Sequence, residues 1–217
     1  MRVTIPALET DLVIFDCDGV LVDSEPLSNA VMAEHITRLG WPMDGAESIR
    51  LFKGQSMTQV HAALEARLGR KVDPAWLETF RADQAERFRT DLTAIPGVRD
   101  LIGRVRDAGL ADCVASQGRH SKMAVSLGAT GLLPLFEGRI FSAEDVARPK
   151  PAPDLFLHAA RSMGIDPARC VVIEDSVTGI AAARAAGMGI IAYDVSGELA
   201  HEGVPTVAAM SEIGVRA

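Results

Sequence analysis

Four short apolar runs constrain this chain more than any other feature. LVIF (12–15), ADCVA (111–115), CVVI (170–173) and GIIAY (189–193) are each four or five residues long. That is the length of a buried strand and too short for a core helix. Runs this nearly apolar, with Asp112 the one charged residue among them, fit strands covered on both faces, as in parallel sheets. Helical patterns fill the intervals at roughly 97–108, 119–128, 153–163 and 177–186. Asp166-Pro167 offers an N-cap followed by proline at the first helical position, and Gly187 a stop for VTGIAAARAA. Strands alternating with helices imply βαβ units, so the expected fold class is α/β, a doubly wound parallel sheet.

One region breaks the alternation. Residues 26–92 contain no clear strand and read as helices at about 26–39, 46–52, 57–68 and 74–90. In DPAWLETFRADQAERF (73–88), Trp76, Leu77 and Phe80 share one side and the charges take the other. Pro26 and IPG at 95–97 bracket the region like hinge points. The expected organisation is an α/β core of residues 1–25 and 93–217, interrupted by a helical insertion at 26–92. The segment HEGVPTVAAMSEIGVRA (201–217) is expected to add a last strand and a short helix, and carries no evident chemistry.

Composition excludes several function classes. A chain of 217 residues, 48% hydrophobic, can bury a substantial core. Its net charge of -7 and its lack of a Lys/Arg cluster argue against nucleic acid as a partner. No run approaches a membrane span, and MRVTIPALETD lacks an apolar signal core, so neither a membrane nor a secretory route is expected. Cys17, Cys113 and Cys170 are odd in number and far apart, which reads as reduced thiols in a cytoplasmic protein. The five scattered histidines argue against zinc. The oligomeric state stays open, a monomer being compatible.

Open parallel sheets bind ligands at the carboxyl ends of their strands. After LVIF come Asp16-Cys17-Asp18-Gly19; after DCVA, Ser116-Gln117-Gly118; after CVVI, Glu174-Asp175-Ser176. Between the last two lies RPKPAPD, with Lys150 among three prolines. The sheet would gather four carboxylates, a hydroxyl and an ammonium at one rim. That inventory suits phosphoryl transfer. Mg²⁺ prefers oxygen ligands and keeps waters, so a few carboxylates suffice. An aspartate can be a covalent nucleophile. Residues i and i+2 of extended backbone point to the same side, so Asp16 and Asp18 could flank one phosphate, one attacking and one handling protons. Ser116 begins an anion site and Lys150 offers positive charge to the transferring group.

Each signal alone has an ordinary reading. A D-x-D is common in surface turns, Ser116 could be a helix cap, Lys150 a solvated lysine, and Glu174-Asp175 the acidic first turn of a helix. Gly19 arrives too early for a calcium-binding EF-hand loop. The conjunction, in order and each at a strand end, favours the functional reading.

At this point the chain resembles the haloacid dehalogenase superfamily. FDCDGVLVDSE (15–25), VASQG (114–118), RPKPAPD (148–154) and VVIEDSVTGI (171–180) are similar to its four motifs, in family order. The subgroup it resembles comprises phosphatases and mutases like β-phosphoglucomutase, in which a helical cap lies between the first two motifs. Residues 26–92 fit that cap. The resemblance implies Asp16 as nucleophile and Asp18 as general acid/base. It implies Mg²⁺ held by Asp16, the Asp18 carbonyl and Asp175, with Glu174 helping directly or through water. It implies phosphate bound by Ser116 and Lys150, with Gln117 beside them. Gly19 would permit the turn into the cap, and Cys17 would be a small buried residue. The acid at position 18 favours phosphate esters over dehalogenation.

LFKGQS (51–56) is similar to the cap's substrate loop, making Lys53 and Gln55 candidate substrate contacts. An equally weighted reading is a helix break at Gly54 and a capping box at Ser56 and Gln59. β-Phosphoglucomutase has a histidine where this chain has Ser28, and an arginine near Met57-Thr58. The expected activity is therefore Mg²⁺-dependent hydrolysis of small phosphorylated metabolites, sugar or polyol phosphates, through an aspartyl-phosphate. The alternatives are a sugar-phosphate mutase and, less favoured, a non-catalytic binding module.

Overall fold

The computed structural model describes residues 3–6 and 9–216. The chain divides into two compact units, Met1–Val22 with Thr93–Ala217, and Asp23–Leu92.

The first unit begins with β1 (Val3–Pro6) and β2 (Leu12–Phe15), and resumes after the second unit with α5 (Val98–Asp107). There follow β3 (Ala111–Ser116), α6 (His120–Ala129), β4 (Ile140–Ser142), α7 (Asp154–Ser162), β5 (Cys170–Glu174), α8 (Val177–Ala185), β6 (Gly189–Tyr193), β7 (Thr206–Val207) and β8 (Ile213–Arg216). Six strands form one parallel sheet in the order β4-β3-β2-β5-β6-β7. The four apolar runs are β2, β3, β5 and β6, as expected of an α/β sheet. β2 is central: Phe15 stands opposite Val114 on one side and Ile173 on the other. The chain moves outward from β2 to β4, then crosses back to β5. The reversal falls beside β2, which opens a crevice at its carboxyl end.

All of β2 is buried. Leu12 and Ile14 share a core with Cys113, Val172, Phe156 and Ala159 of α7, and Ala182 and Ala183 of α8. The small alanines let the helices lie close to the sheet. Burying side chains of the size of Leu12 or Ile14 contributes roughly 1.5–3 kcal/mol each. On the other face, Phe15 meets Phe136 edge-on at 6.1 Å. Buried Asp112 is held there by Arg106 and Arg139, each at 2.5 Å.

Three features differ from the expectations. Asp166 does cap, accepting from the Ala168 amide at 2.9 Å, but only a three-residue 3₁₀ turn follows before β5 begins. The C-terminal segment supplies two strands, not one. β7 extends the main sheet, whereas β8 pairs with β1 as a separate two-stranded parallel sheet. β4 is three residues long, too short for its apolar run to register.

The second unit is four helices: α1 (Glu25–Arg38), α2 (Gly45–Phe52), α3 (Met57–Leu68) and α4 (Ala75–Asp91). Pro26 lies in the first turn of α1. Val31 and Ile36 of α1, Phe52, Val60 and Leu64 pack with Trp76 and Phe80 into a separate core. Buried His35 meets the Phe80 ring edge-on, and its Nε2 lies 2.9 Å from Asp83 Oδ2. The Ser56–Gln59 capping box starts α3. Among the described residues no helix is long and apolar enough to cross a membrane.

Candidate active site

The parallel register decides which side chains meet. β2 ends at Phe15, and the Asp16 amide continues its ladder by donating to Ile173 O at 3.0 Å. Asp16 therefore lies at the level where β3 and β5 are also ending. The chain then turns sharply, because the Leu21 and Val22 amides both donate to Cys17 O. Gly19, at φ 79°, makes this possible. Its missing side chain has a second consequence: a Cβ there would lie 1.8 Å from Asp175 Oδ2. The first turn thus presses directly on the acid that follows β5.

Lys150 organises the centre. Its Nζ donates to Asp16 Oδ1 at 2.6 Å, to Glu174 Oε1 at 2.6 Å and to Ala115 O at 3.1 Å. Asp16 is 6% exposed, Lys150 5% and Glu174 1%, so these charges compensate each other away from water. The ammonium also lies over the Phe156 ring, 4.6 Å from its centroid. Burial opposes the charge of Lys150, but Asp16 and Glu174 outweigh it and hold the ammonium above its ordinary range. Burial pushes the Asp16 carboxyl up to about 7; Lys150 opposes this, and Glu174 and Asp18 reinforce it. Asp175 is raised as well, by burial first and then by Glu174 and Asp16.

The sequence resemblance puts Glu174 among the candidate metal ligands, acting directly or through water. Its Oε1 takes Lys150, and its Oε2 accepts from the amides of Asp175 and Ser176 and from the Ser176 hydroxyl. In this arrangement it anchors Lys150 and the turn after β5. Ser116, buried at the end of β3, accepts from the Gly118 amide at 3.1 Å. Gln117 is exposed at the same rim. Lys53 and Gln55 belong to the helical unit, on the exposed turn after α2. The Gln55 side chain is tied back to that helix, donating to Leu51 O at 2.9 Å.

One residue was missed. Lys122, the third residue of α6, donates to both Asp18 oxygens at 2.8 Å. Burial disfavours its charge, but the Asp18 carboxylate prevails and holds it above its ordinary range. In the sequence it is one lysine of a polar helix face, 104 residues from its partner. No local signal marks it.

Among the described residues, no three His, Cys, Asp or Glu side chains enclose a metal site by themselves. The donors present are the Asp16 and Asp175 carboxylates and main-chain oxygen. A hard cation that keeps much of its water, such as Mg²⁺, fits that set. The two raised acids next to a glycine cradle are the groups a cation would relieve.

Known proteins are similar to this chain in sequence and fold. The family described as "Hydrolase: haloacid dehalogenase-like hydrolase" matches residues 10–187. The chain is 32% identical over 184 residues to 6-phosphogluconate phosphatase of Escherichia coli, covering 84% of this chain and 82% of that one. It is 31% identical over 189 residues to fructose-1-phosphate phosphatase of the same organism, covering 82% and 93%. A HAD family hydrolase of Deinococcus radiodurans, solved with bound phosphate and sodium, superposes with a TM-score of 0.78. That structure is 32% identical, with 94% of this chain and 93% of that one covered.

Proposed function

This chain belongs to the haloacid dehalogenase-like hydrolase family, and we propose that it is a Mg²⁺-dependent phosphatase of small sugar or polyol phosphates. The observation that carries this reading is the buried bridge from Lys150 to Asp16 and Glu174. It holds a carboxylate ready to attack at the mouth of the sheet crevice, with a positive charge beside it. The phosphatases to which the chain is similar support the same reaction class and point to phosphorylated sugars and sugar acids as substrates.

Asp16 attacks phosphorus, and the bond from phosphorus to the alcohol oxygen breaks. Asp18 gives its proton to the departing alkoxide. Water then attacks the aspartyl-phosphate, Asp18 takes its proton, and Asp16 is regenerated with release of phosphate. Ser116 and Lys150 bind the phosphoryl oxygens, and Gln117 lies beside them on the rim. Asp16, Asp175 and the Asp18 carbonyl would hold Mg²⁺, which supplies charge to offset repulsion between phosphate and nucleophile.

Hydrolysis is preferred to phosphoryl relocation. A mutase has to retain a bisphosphate; here Ser28, where the mutase histidine is expected, is engaged by Gln84 at 3.0 Å. The test is phosphate release from an aryl phosphate and a panel of metabolite phosphates, with Mg²⁺ and with EDTA. Release with Mg²⁺ alone, abolished by Asp16→Asn, is expected. Silence across the panel, or full activity of that variant, contradicts the proposal. Faster conversion of hexose 1-phosphate to 6-phosphate than phosphate release would favour a mutase.

A further inference from the structure

We propose that Lys122 is a positioning residue that aims the proton-carrying carboxyl of Asp18; this inference rests on the phosphatase reading above. The Lys122 ammonium reaches both Asp18 oxygens at equal distances of 2.8 Å. A carboxylate at a turn can rotate about two side-chain bonds. Two matched contacts to one ammonium restrain the direction in which the carboxyl points. The same stretch of chain also orders the phosphate end of the site. The Gly118 amide donates to Ser116 Oγ, and a Cβ at Gly118 would fall 3.4 Å from that oxygen and 3.6 Å from Asp18 Oδ2. Ser116 and Lys122 are therefore set by the turn after β3 and the start of α6, and Lys122 reaches from there to Asp18 in the turn after β2.

Magnitudes separate positioning from stability. The Lys122 and Asp18 side chains are each 30% exposed. A part-buried pair lies between the about 0–1 kcal/mol of exposed pairs and the larger cost of breaking a buried one, so the thermal melt reads its share in folding separately from the rate. Misplacing a reacting group by an ångström, in contrast, can cost about 100-fold in rate. The two adjacent acids thus have separate cations: Lys150 holds the nucleophile and Lys122 the proton carrier.

The consequence depends on the leaving group. With an alkyl phosphate, the bond from Asp16 to phosphorus forms, the bond from phosphorus to the alkyl oxygen breaks, and that oxygen takes the Asp18 proton. A nitrophenolate leaves without needing that proton. The experiment compares Lys122→Met and Lys122→Arg with wild type in single-turnover reactions with Mg²⁺. The probes are glycerol phosphate and p-nitrophenyl phosphate, and a thermal melt confirms folding.

The methionine variant is expected to lose about 100-fold in the glycerol phosphate rate with little change in substrate affinity. Its nitrophenolate burst should fall far less, and Lys122→Arg should recover much of the loss. Equal losses on both substrates, or no loss on either, overturn the inference and leave the phosphatase reading intact. Wild-type protein inert toward both substrates overturns the phosphatase reading and this inference with it. If the methionine variant does not fold, Lys122→Gln gives the same ratio.

Discussion

Gly179 leaves no room for a methyl group beside Glu174: a Cβ at this position of α8 would fall 1.8 Å from Oε1 and 1.9 Å from the carboxyl carbon. Glycine inside a helix ordinarily costs about 1 kcal/mol relative to alanine. Here that preference is reversed. Both Glu174 oxygens are engaged, one by Lys150 and the other by the amides and hydroxyl that start α8. Gly179→Ala would force the carboxylate off these partners. The expected result is a loss of about 1–3 kcal/mol in urea unfolding, the cost of buried polar groups left unsatisfied. Phosphatase activity should fall with it, through Lys150. An alanine variant more stable than wild type would show that helix propensity prevails.

Lys150 compensates two buried acids at once, each at 2.6 Å. Lys150→Met keeps most of the aliphatic stem against Phe156 and removes the charge. Breaking a buried ion pair from one side costs about 3–5 kcal/mol, because the other charge stays buried and alone. Urea unfolding at neutral pH should show a loss of that order, together with loss of turnover. Wild-type stability would mean that the acids shed their charge at no cost.

Gly19→Ala tests the contact between the first turn and Asp175. The backbone at φ 79° disfavours any side chain, by about 1–2 kcal/mol. A Cβ would also fall 1.8 Å from Asp175 Oδ2, which must move away. Mg²⁺ affinity, measured by calorimetry, should fall at least about 10-fold, the equivalent of 1.4 kcal/mol. Unchanged affinity would remove Asp175 from the metal site.

The gathering of charged groups at one rim was legible because backbone register does most of the work. LVIF, ADCVA and CVVI end within a residue of one another across the sheet, so Asp16, Ser116 and Glu174 follow from strand ends alone. Lys150 was legible by its prolines. Lys122 was not, since a lysine one turn into a helix is chemically indistinguishable from its solvated neighbours until the turn at Asp18 reaches it. β1 and β8 escaped for a related reason. They pair with each other from opposite ends of the chain, and neither sequence names its partner. The assignment of Glu174 turned on hydrogen bonds to amides only one and two residues away, which residue type does not reveal.

Asp16 links pH to stability and, in the proposed Mg²⁺ site, to metal affinity. Burial pushes its carboxyl up to about 7, while an unfolded aspartate titrates near 4. Between these values the folded chain holds a proton that the unfolded chain has lost. Stability conferred by that proton is present at the acid end of the window and is lost as pH rises toward 7. A cation competes with the same proton, so Mg²⁺ should bind more tightly as pH rises through the window. Thermal melts in EDTA should show stability falling from pH 5 to pH 7.5, and Mg²⁺ should raise the melting temperature more at pH 7.5 than at pH 5. Asp16→Asn, which cannot titrate, should weaken both trends, with Asp175, also raised by burial, keeping a share of the first. A metal-free protein whose stability rises across this interval would contradict the assignment, because other carboxylates would then dominate the linkage.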